Sequence, residues 1–141
     1  MNQDTKEQLL KKANAICSNT LMETLEITFV DLGSDYLVAK MPVSPKVHQP
    51  DGVLHGGASV ALAESVGSAA SYMFLDAENF MIRGLEISAN HVKSIRTGFV
   101  YAKASILHKG RTTQLWQIRI TNQEDQLISL VKLTTIALPK S

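Results

Sequence analysis

The sequence predicts an α+β fold in which a curved antiparallel β-sheet wraps around one long central helix. Three observations carry this reading. Residues 57–75, GASVALAESVGSAASYMFL, are rich in alanine and apolar on nearly every side, as suits a helix buried all round. Two β-rich runs precede this segment and four follow it, the latter with connections of hairpin length, which argues for an antiparallel sheet. No other segment is apolar enough to cover such a sheet.

Taken in order, residues 5–19 carry Leu9, Leu10, Ala13, Ile16 and Cys17 at spacings of three and four, the pattern of a short amphipathic helix. Runs at 25–32 and 35–43 read as strands joined by a turn at Gly33 and Ser34. Residues 44–57, SPKVHQPDGVLHGG, form a long connection, and loops of this length in compact domains are usually functional. Past the central helix, MIRGLEISANHV, VYAKASILH, TTQLWQIRI and LISLVKLTTIAL have strand composition, with turn signals at Gly98, Lys109-Gly110 and Asn122 to Gln126. In the first of these, Leu85, Ile87, Ala89 and His91 are expected on the face toward the helix, and Glu86, Ser88 and Asn90 on the other.

Composition narrows the function. A chain of 141 residues, 45% hydrophobic and with neither repeats nor a linker, reads as one domain over 1–141. A net charge of +1 gives no general attraction to nucleic acid. There is no apolar run long enough to cross a bilayer, and MNQDTKEQLLKK lacks the apolar stretch of a secretory signal, so a cytoplasmic protein away from membranes is expected. Cys17, the single cysteine, excludes an internal disulfide and reads as a small buried hydrophobe. The four histidines are scattered and suggest no metal site.

Between Gly52 and Leu75, Glu64 is the one formally charged residue, flanked by Ala61, Leu62, Ala63 and Val66. Burying a carboxylate there costs several kcal/mol unless it is paired. It either faces a solvent gap, pairs with a base from elsewhere, or is tuned as a general base or nucleophile. Ser68 lies one turn on, placed to orient that carboxylate or a water, or simply small enough for close packing. At the helix start, His55-Gly56-Gly57 leaves backbone N–H groups at the positive end of the helix dipole, an oxyanion-hole candidate; two glycines and a capping histidine in a tight turn are the alternative. Gln49 offers a further amide donor, or is a solvated loop residue. At about 1.5 Å rise per residue, Glu64 and Gly56 lie roughly 12 Å apart along the helix axis, so one carbonyl cannot touch both in one subunit. If they act together, Glu64 meets the Gly56 of a second copy across a two-fold axis, which makes the catalytic unit a homodimer.

HQPDGVLHGGASVALAES, with GLEISANHVKSIRTG and HKGRTTQLWQIRI downstream, resembles the hotdog-fold acyl-CoA thioesterases over nearly the whole chain. The likeness is greatest to the phenylacetate-degradation-type branch and to small bacterial hydrolases of aryl-CoA or aryl-carrier-protein thioesters, those of 1,4-dihydroxy-2-naphthoyl-CoA included. The resemblance implies that Glu64 is the catalytic carboxylate, as nucleophile or general base, and that the Gly56 N–H polarises the thioester carbonyl. It implies that Gln49 and His55 position the thioester and its leaving sulfur, and that Ser68 holds the Glu or the attacking water. His91 would face the pantetheine channel, while Lys93, Arg96 and the tip Lys109-Gly110-Arg111 would meet the nucleotide part of CoA, unless these bases are only solvated charge. No cofactor is implied, coenzyme A being part of the substrate, and a dimer of dimers, a homotetramer, is expected. Val60, Met73 and Phe74 are candidate acyl-pocket residues. The rival readings are a hotdog dehydratase, a thioesterase for acyl carrier protein and a non-catalytic acyl-CoA sensor; a purely structural subunit would leave Glu64 unexplained.

Overall fold

The computed structural model describes residues 2–75 and 77–141. Two short helices open the chain, α1 (Gln3–Ala15) and α2 (Leu21–Thr24), followed by strands β1 (Thr28–Leu32) and β2 (Tyr36–Val43). A loop with one 3₁₀ turn (Pro45–Val47) leads to the long helix α3 (Gly56–Phe74), and then come β3 (Phe80–His91), β4 (Gly98–Lys109), β5 (Thr113–Thr121) and β6 (Leu127–Pro139). All six strands form one antiparallel sheet in the order β1-β2-β4-β5-β6-β3, with α3 packed on it.

The amphipathic helix expected over 5–19 stops at Ala15. Asn2 caps its start by accepting from the Thr5 N–H, and past its end Asn19 turns the chain with φ 63° before Thr20 caps α2. The β1–β2 turn falls at Gly33, whose N–H donates to Tyr36 O at 2.9 Å. The β5–β6 turn falls at Asn122, whose side chain accepts from the N–H groups of Glu124 and Gln126.

One expectation fails in topology. β3 and β4 are not a hairpin: β4 pairs with β2 and β5, and β3 crosses to the far edge to pair with β6. The six residues between them are instead tied down locally, with Val92 N–H on Ile128 O and Leu54 N–H on Ile95 O.

The core lies between sheet and helix. Leu62, Ala63, Val66 and Ala70 of α3 meet Ala39, Met41, Val100, Trp116, Ile118 and Val131, all buried. Gly67 permits the close approach, because a Cβ there would lie 2.5 Å from Leu133 Cδ2. The helix is not buried all round, however: Glu64 and Tyr72 are exposed, both reaching toward the edge strand β3. Its largely apolar composition fits a helix covered by its own sheet on the side of Leu62, Ala63, Val66 and Ala70.

In β3 the expected alternation holds from Ile87 onward but not at Leu85. Gly84 pairs with Thr135 and Glu86 with Thr134, so Leu85 is the extra residue of a β-bulge and stands 57% exposed. Upstream of the bulge Ile82 and Gly84 face the helix; downstream Ile87, Ala89 and His91 do.

Candidate active site

The loop before α3 is held in place by its own backbone and by the β3–β4 connection. Gln49 N–H donates to Val53 O and His55 N–H to Val47 O, both at 2.8 Å, while His48 Nε2 lies 2.8 Å from Arg96 O. Arg96 Nη1 reaches Asp51 O and Gly52 O, each at 3.3 Å. Part of the donor capacity assigned to a CoA phosphate at Arg96 is therefore spent on holding this loop. Gly52, at φ 84°, turns the chain where an L side chain would be strained.

His55 is the N-cap of α3, and its Nδ1 accepts from the Gly57 N–H at 2.8 Å. The Ala58 and Ser59 N–H groups donate to His55 O. Among the described residues no acceptor takes the Gly56 N–H, which is left bare at the positive end of the helix. His91 from β3 lies against the same glycine: a Cβ on Gly56 would come 2.8 Å from its Nε2, so only glycine admits the imidazole this close. The other ring nitrogen, Nδ1, shares a hydrogen bond of 2.7 Å with Ser129 Oγ of β6, which fixes the ring plane. Gln49, Gly56, His91 and Lys93 line one cavity of about 290 Å³, together with Ser59 and Ser129. The Gln49 side-chain amide donates to Asp51 Oδ1 at 2.8 Å.

Glu64 and Ser68 line a different and larger groove of about 820 Å³, on the open side of α3. Met73 and Phe74 line it as expected of acyl-pocket residues, whereas Val60 borders neither space. Glu64 is exposed on the single chain, which corrects the expectation of a carboxylate desolvated by its neighbours: Leu62, Ala63 and Val66 are buried in the core, whereas Glu64 reaches the edge strand β3 and stays open to solvent. Its carboxylate lies beside Gly84, where a Cβ would be 2.6 Å from Oε2.

The expected basic residues divide into two groups. Lys93 and Arg96 sit by the first cavity. Lys109-Gly110-Arg111, at the β4–β5 tip, lies at the opposite end of the sheet beside Ile136, and the run of β6 from Ser129 to Ile136 separates the two by roughly 23 Å. Gly84, Ser129 and the groove-lining Leu21 and Met22 escaped sequence reasoning, and Ile16 was visible only as part of the amphipathic spacing over 5–19, with no site attached to it.

Chemically, the arrangement offers a bare N–H donor with an oriented imidazole in one place, and a carboxylate facing an apolar groove in another. Residues 51–129 match the model of the thioesterase superfamily. The chain is 44% identical to 1,4-dihydroxy-2-naphthoyl-CoA hydrolase of Escherichia coli K12 over 92% of its own length and 94% of that protein's. It is 40% identical to a proofreading thioesterase of Cronobacter sakazakii, over 92% and 93% of the two chains. A crystallised thioesterase of Pseudomonas aeruginosa superposes with a TM-score of 0.91 at 41% identity, covering 93% of this chain and 94% of that one. Sequence, sheet order and wrapped helix agree, and the chain belongs to the hotdog-fold thioesterase superfamily as a thioester hydrolase.

Proposed function

We propose that this hydrolase cleaves small or aromatic acyl-CoA thioesters to the free acid and CoA, at a site shared between two subunits. The observation that carries the reading is the separation just described: Glu64 and Gly56 line different cavities, yet a thioester carbonyl needs both a polarising donor and a carboxylate. A second copy supplies the missing half. β3, twelve residues long, is an edge strand running past both Glu64 and Gly56, and Leu85 and Val92, 57% and 58% exposed, await a cover beside its edge. Two-fold pairing there would bring the partner's first cavity to the groove and desolvate Glu64 on assembly; pairs of dimers then make the tetramer implied by resemblance.

In the site so assembled, the Gly56 N–H bonds the carbonyl oxygen as negative charge develops on it. Glu64 either takes a proton from the attacking water or attacks the carbonyl carbon itself, giving an anhydride that water then opens. In both routes the C–S bond breaks, the sulfur leaves with a proton as the CoA thiol, and one water is consumed. Ser68, in the groove with Glu64, orients the carboxylate or the water; Gln49 and His91 line the approach of the thiol arm. His55 sets the helix start through Nδ1, and its other ring nitrogen, which the cap does not use, helps to position the thioester and its leaving sulfur. Lys93 and Arg96 of one subunit, and Lys109 with Arg111 at the far end of a sheet, meet the CoA phosphates from different chains of the assembly. The relative acting on a naphthoyl-CoA supports an aromatic acyl group. A free core thiol at Cys17 suits the reducing cytoplasm.

The test is thiol release from aryl, branched and straight-chain acyl-CoAs and from the same acyl groups on a carrier protein, with wild type beside Glu64→Ala. Aromatic acyl-CoA turnover that falls at least a thousandfold in the variant, with CoA binding retained, is expected. Unchanged turnover in Glu64→Ala would remove the carboxylate from the mechanism, turnover confined to carrier-protein substrates would replace CoA as the thiol, and tight acyl-CoA binding without release would make the protein a sensor. Mixing the inactive Glu64→Ala and Gly56→Val variants tests the shared site: a mixed dimer keeps one intact pair, so activity returns only if the two groups come from different subunits.

A further inference from the structure

Four large apolar side chains stand open around one groove: Leu9 is 38%, Ile16 74%, Leu21 57% and Tyr72 44% exposed. Contiguous exposed apolar surface of this kind marks a binding site. One wall of the groove is α3, with Glu64, Ala69 and Met73; the other is the N-terminal segment, with Ile16, Leu21 and Met22. Its volume of about 820 Å³ lies toward the upper end of the range for pockets that enclose organic ligands.

The N-terminal wall is anchored. Asn14 of α1 clamps β1 at two points, its Nδ2 donating to Phe29 O at 3.0 Å and its Oδ1 accepting from Phe29 N–H at 2.7 Å. Lys6 pairs with Asp31, and Lys46 donates to Thr24 O at 3.0 Å while pairing with Glu26 at 2.8 Å. This wall also precedes the region matched to the superfamily model, which begins at residue 51. The wall is a fixed part of the fold, held against β1 and facing the carboxylate of Glu64 across the groove.

We propose that residues 9–22 form an acyl-selectivity wall, and that the groove takes the acyl group of the substrate, of a bulky apolar class such as fused rings or a long chain, in preference to an acetyl-sized one. The inference rests on the assignment of Glu64 above. A carbonyl held at Glu64 directs its acyl substituent into the space that the carboxylate borders, which is this groove. The thiol arm leaves through the smaller cavity with Gln49, His91 and Lys93. The two cavities thereby divide the substrate at its carbonyl, apolar part from polar part.

Ile16→Glu and Leu21→Glu, singly and together, place charge in the groove at exposed positions, and unchanged melting temperatures confirm that the fold is kept. The readouts are kcat/KM for 2-naphthoyl-CoA and dodecanoyl-CoA relative to acetyl-CoA, and calorimetric titration with non-hydrolysable ketone analogues of the same three. In the double variant the ratio of bulky to acetyl kcat/KM is expected to fall at least ~10-fold, with a matching loss of affinity for the bulky analogues. An unchanged ratio with unchanged analogue affinity would overturn the wall while leaving the hydrolase intact. A shift in analogue affinity without turnover of any thioester would uphold the wall and remove the hydrolytic reading of Glu64. A change of oligomeric mass with selectivity kept would give the groove to a second copy of the chain and refute the proposal.

Discussion

Replacing Gly84 with alanine places a methyl carbon 2.6 Å from Oε2 of Glu64 and 3.8 Å from Cδ1 of Leu133. The second distance is ordinary contact; the first is not. The Glu64 carboxylate ends a flexible, exposed side chain, so it gives way by roughly 0.8 Å and nothing else in the strand has to move. Backbone strain is absent, because the left-handed glycines are Gly52 and Gly98 and not Gly84. Alanine in place of a strand glycine even adds about 0.5–1 kcal/mol through the unfolded state. Displacing a reacting group by about 1 Å costs on the order of 10²-fold in rate, or about 2.7 kcal/mol in the barrier. Gly84→Ala is therefore expected to lower kcat by about 30- to 100-fold while the melting temperature stays level or rises. Thiol release and a thermal melt on the same preparation read both. An unchanged kcat would show that the position of the Glu64 carboxylate beside Gly84 has no part in catalysis, and a fall in stability parallel to the fall in rate would show that position 84 is merely structural.

Two further substitutions probe what holds the site in place. Thr135 Oγ1 receives the Trp116 Nε1–H at 3.1 Å and donates to Gln114 Oε1 at 2.8 Å, with Ser71 Oγ of α3 3.3 Å away, all of it buried. Thr135→Val keeps the shape and strands a donor and an acceptor, so urea unfolding should show a loss of about 2–5 kcal/mol; a loss under about 1 kcal/mol would mean that water or rotation re-pairs them. Asp31 is held below the usual carboxylate range chiefly by its hydrogen bond from Lys6, and Lys6 is raised in turn by Asp31. A lowered carboxylate adds stability above its unfolded pKa and loses it as pH falls through the folded one; a raised lysine adds stability below its unfolded pKa and loses it as pH rises through the folded one. The pair thus acts from just above ordinary carboxylate titration to just below that of lysine. Melting temperatures of wild type and Asp31→Asn should differ at neutral pH and converge in acid, and a gap that persists below the carboxylate range would assign the effect to something other than this pair.

What the sequence disclosed follows from which forces are local. The alanine-rich run at 57–75 and the Gly33, Gly98 and Asn122 turns were legible because helix composition and turn chemistry are written in neighbouring residues. Glu64 and Ser68 were legible as one face of a helix for the same reason. The β3–β4 crossover was not, since the choice between pairing with β4 and pairing with β6 is decided by long-range packing over α3, and short connections favour the wrong answer. Glu64 misled in a second way: residues adjacent in sequence point around a helix at intervals of about 100°, so apolar neighbours say that the helix is covered but not that this side chain is.

The bulge at Leu85 joins fold to chemistry. Strand side chains alternate with period two, and Gly84 and His91 are seven apart, so a regular strand would set them on opposite faces. One extra residue restores the parity, and both then face α3, Gly84 beside Glu64 and His91 beside Gly56. A single edge strand thereby touches α3 both at its first residue, Gly56, and at its middle, Glu64, the two positions proposed as oxyanion donor and carboxylate. The displaced Leu85 is pushed outward by the same insertion that brings Gly84 and His91 to one face, so its exposure is a consequence of that alignment.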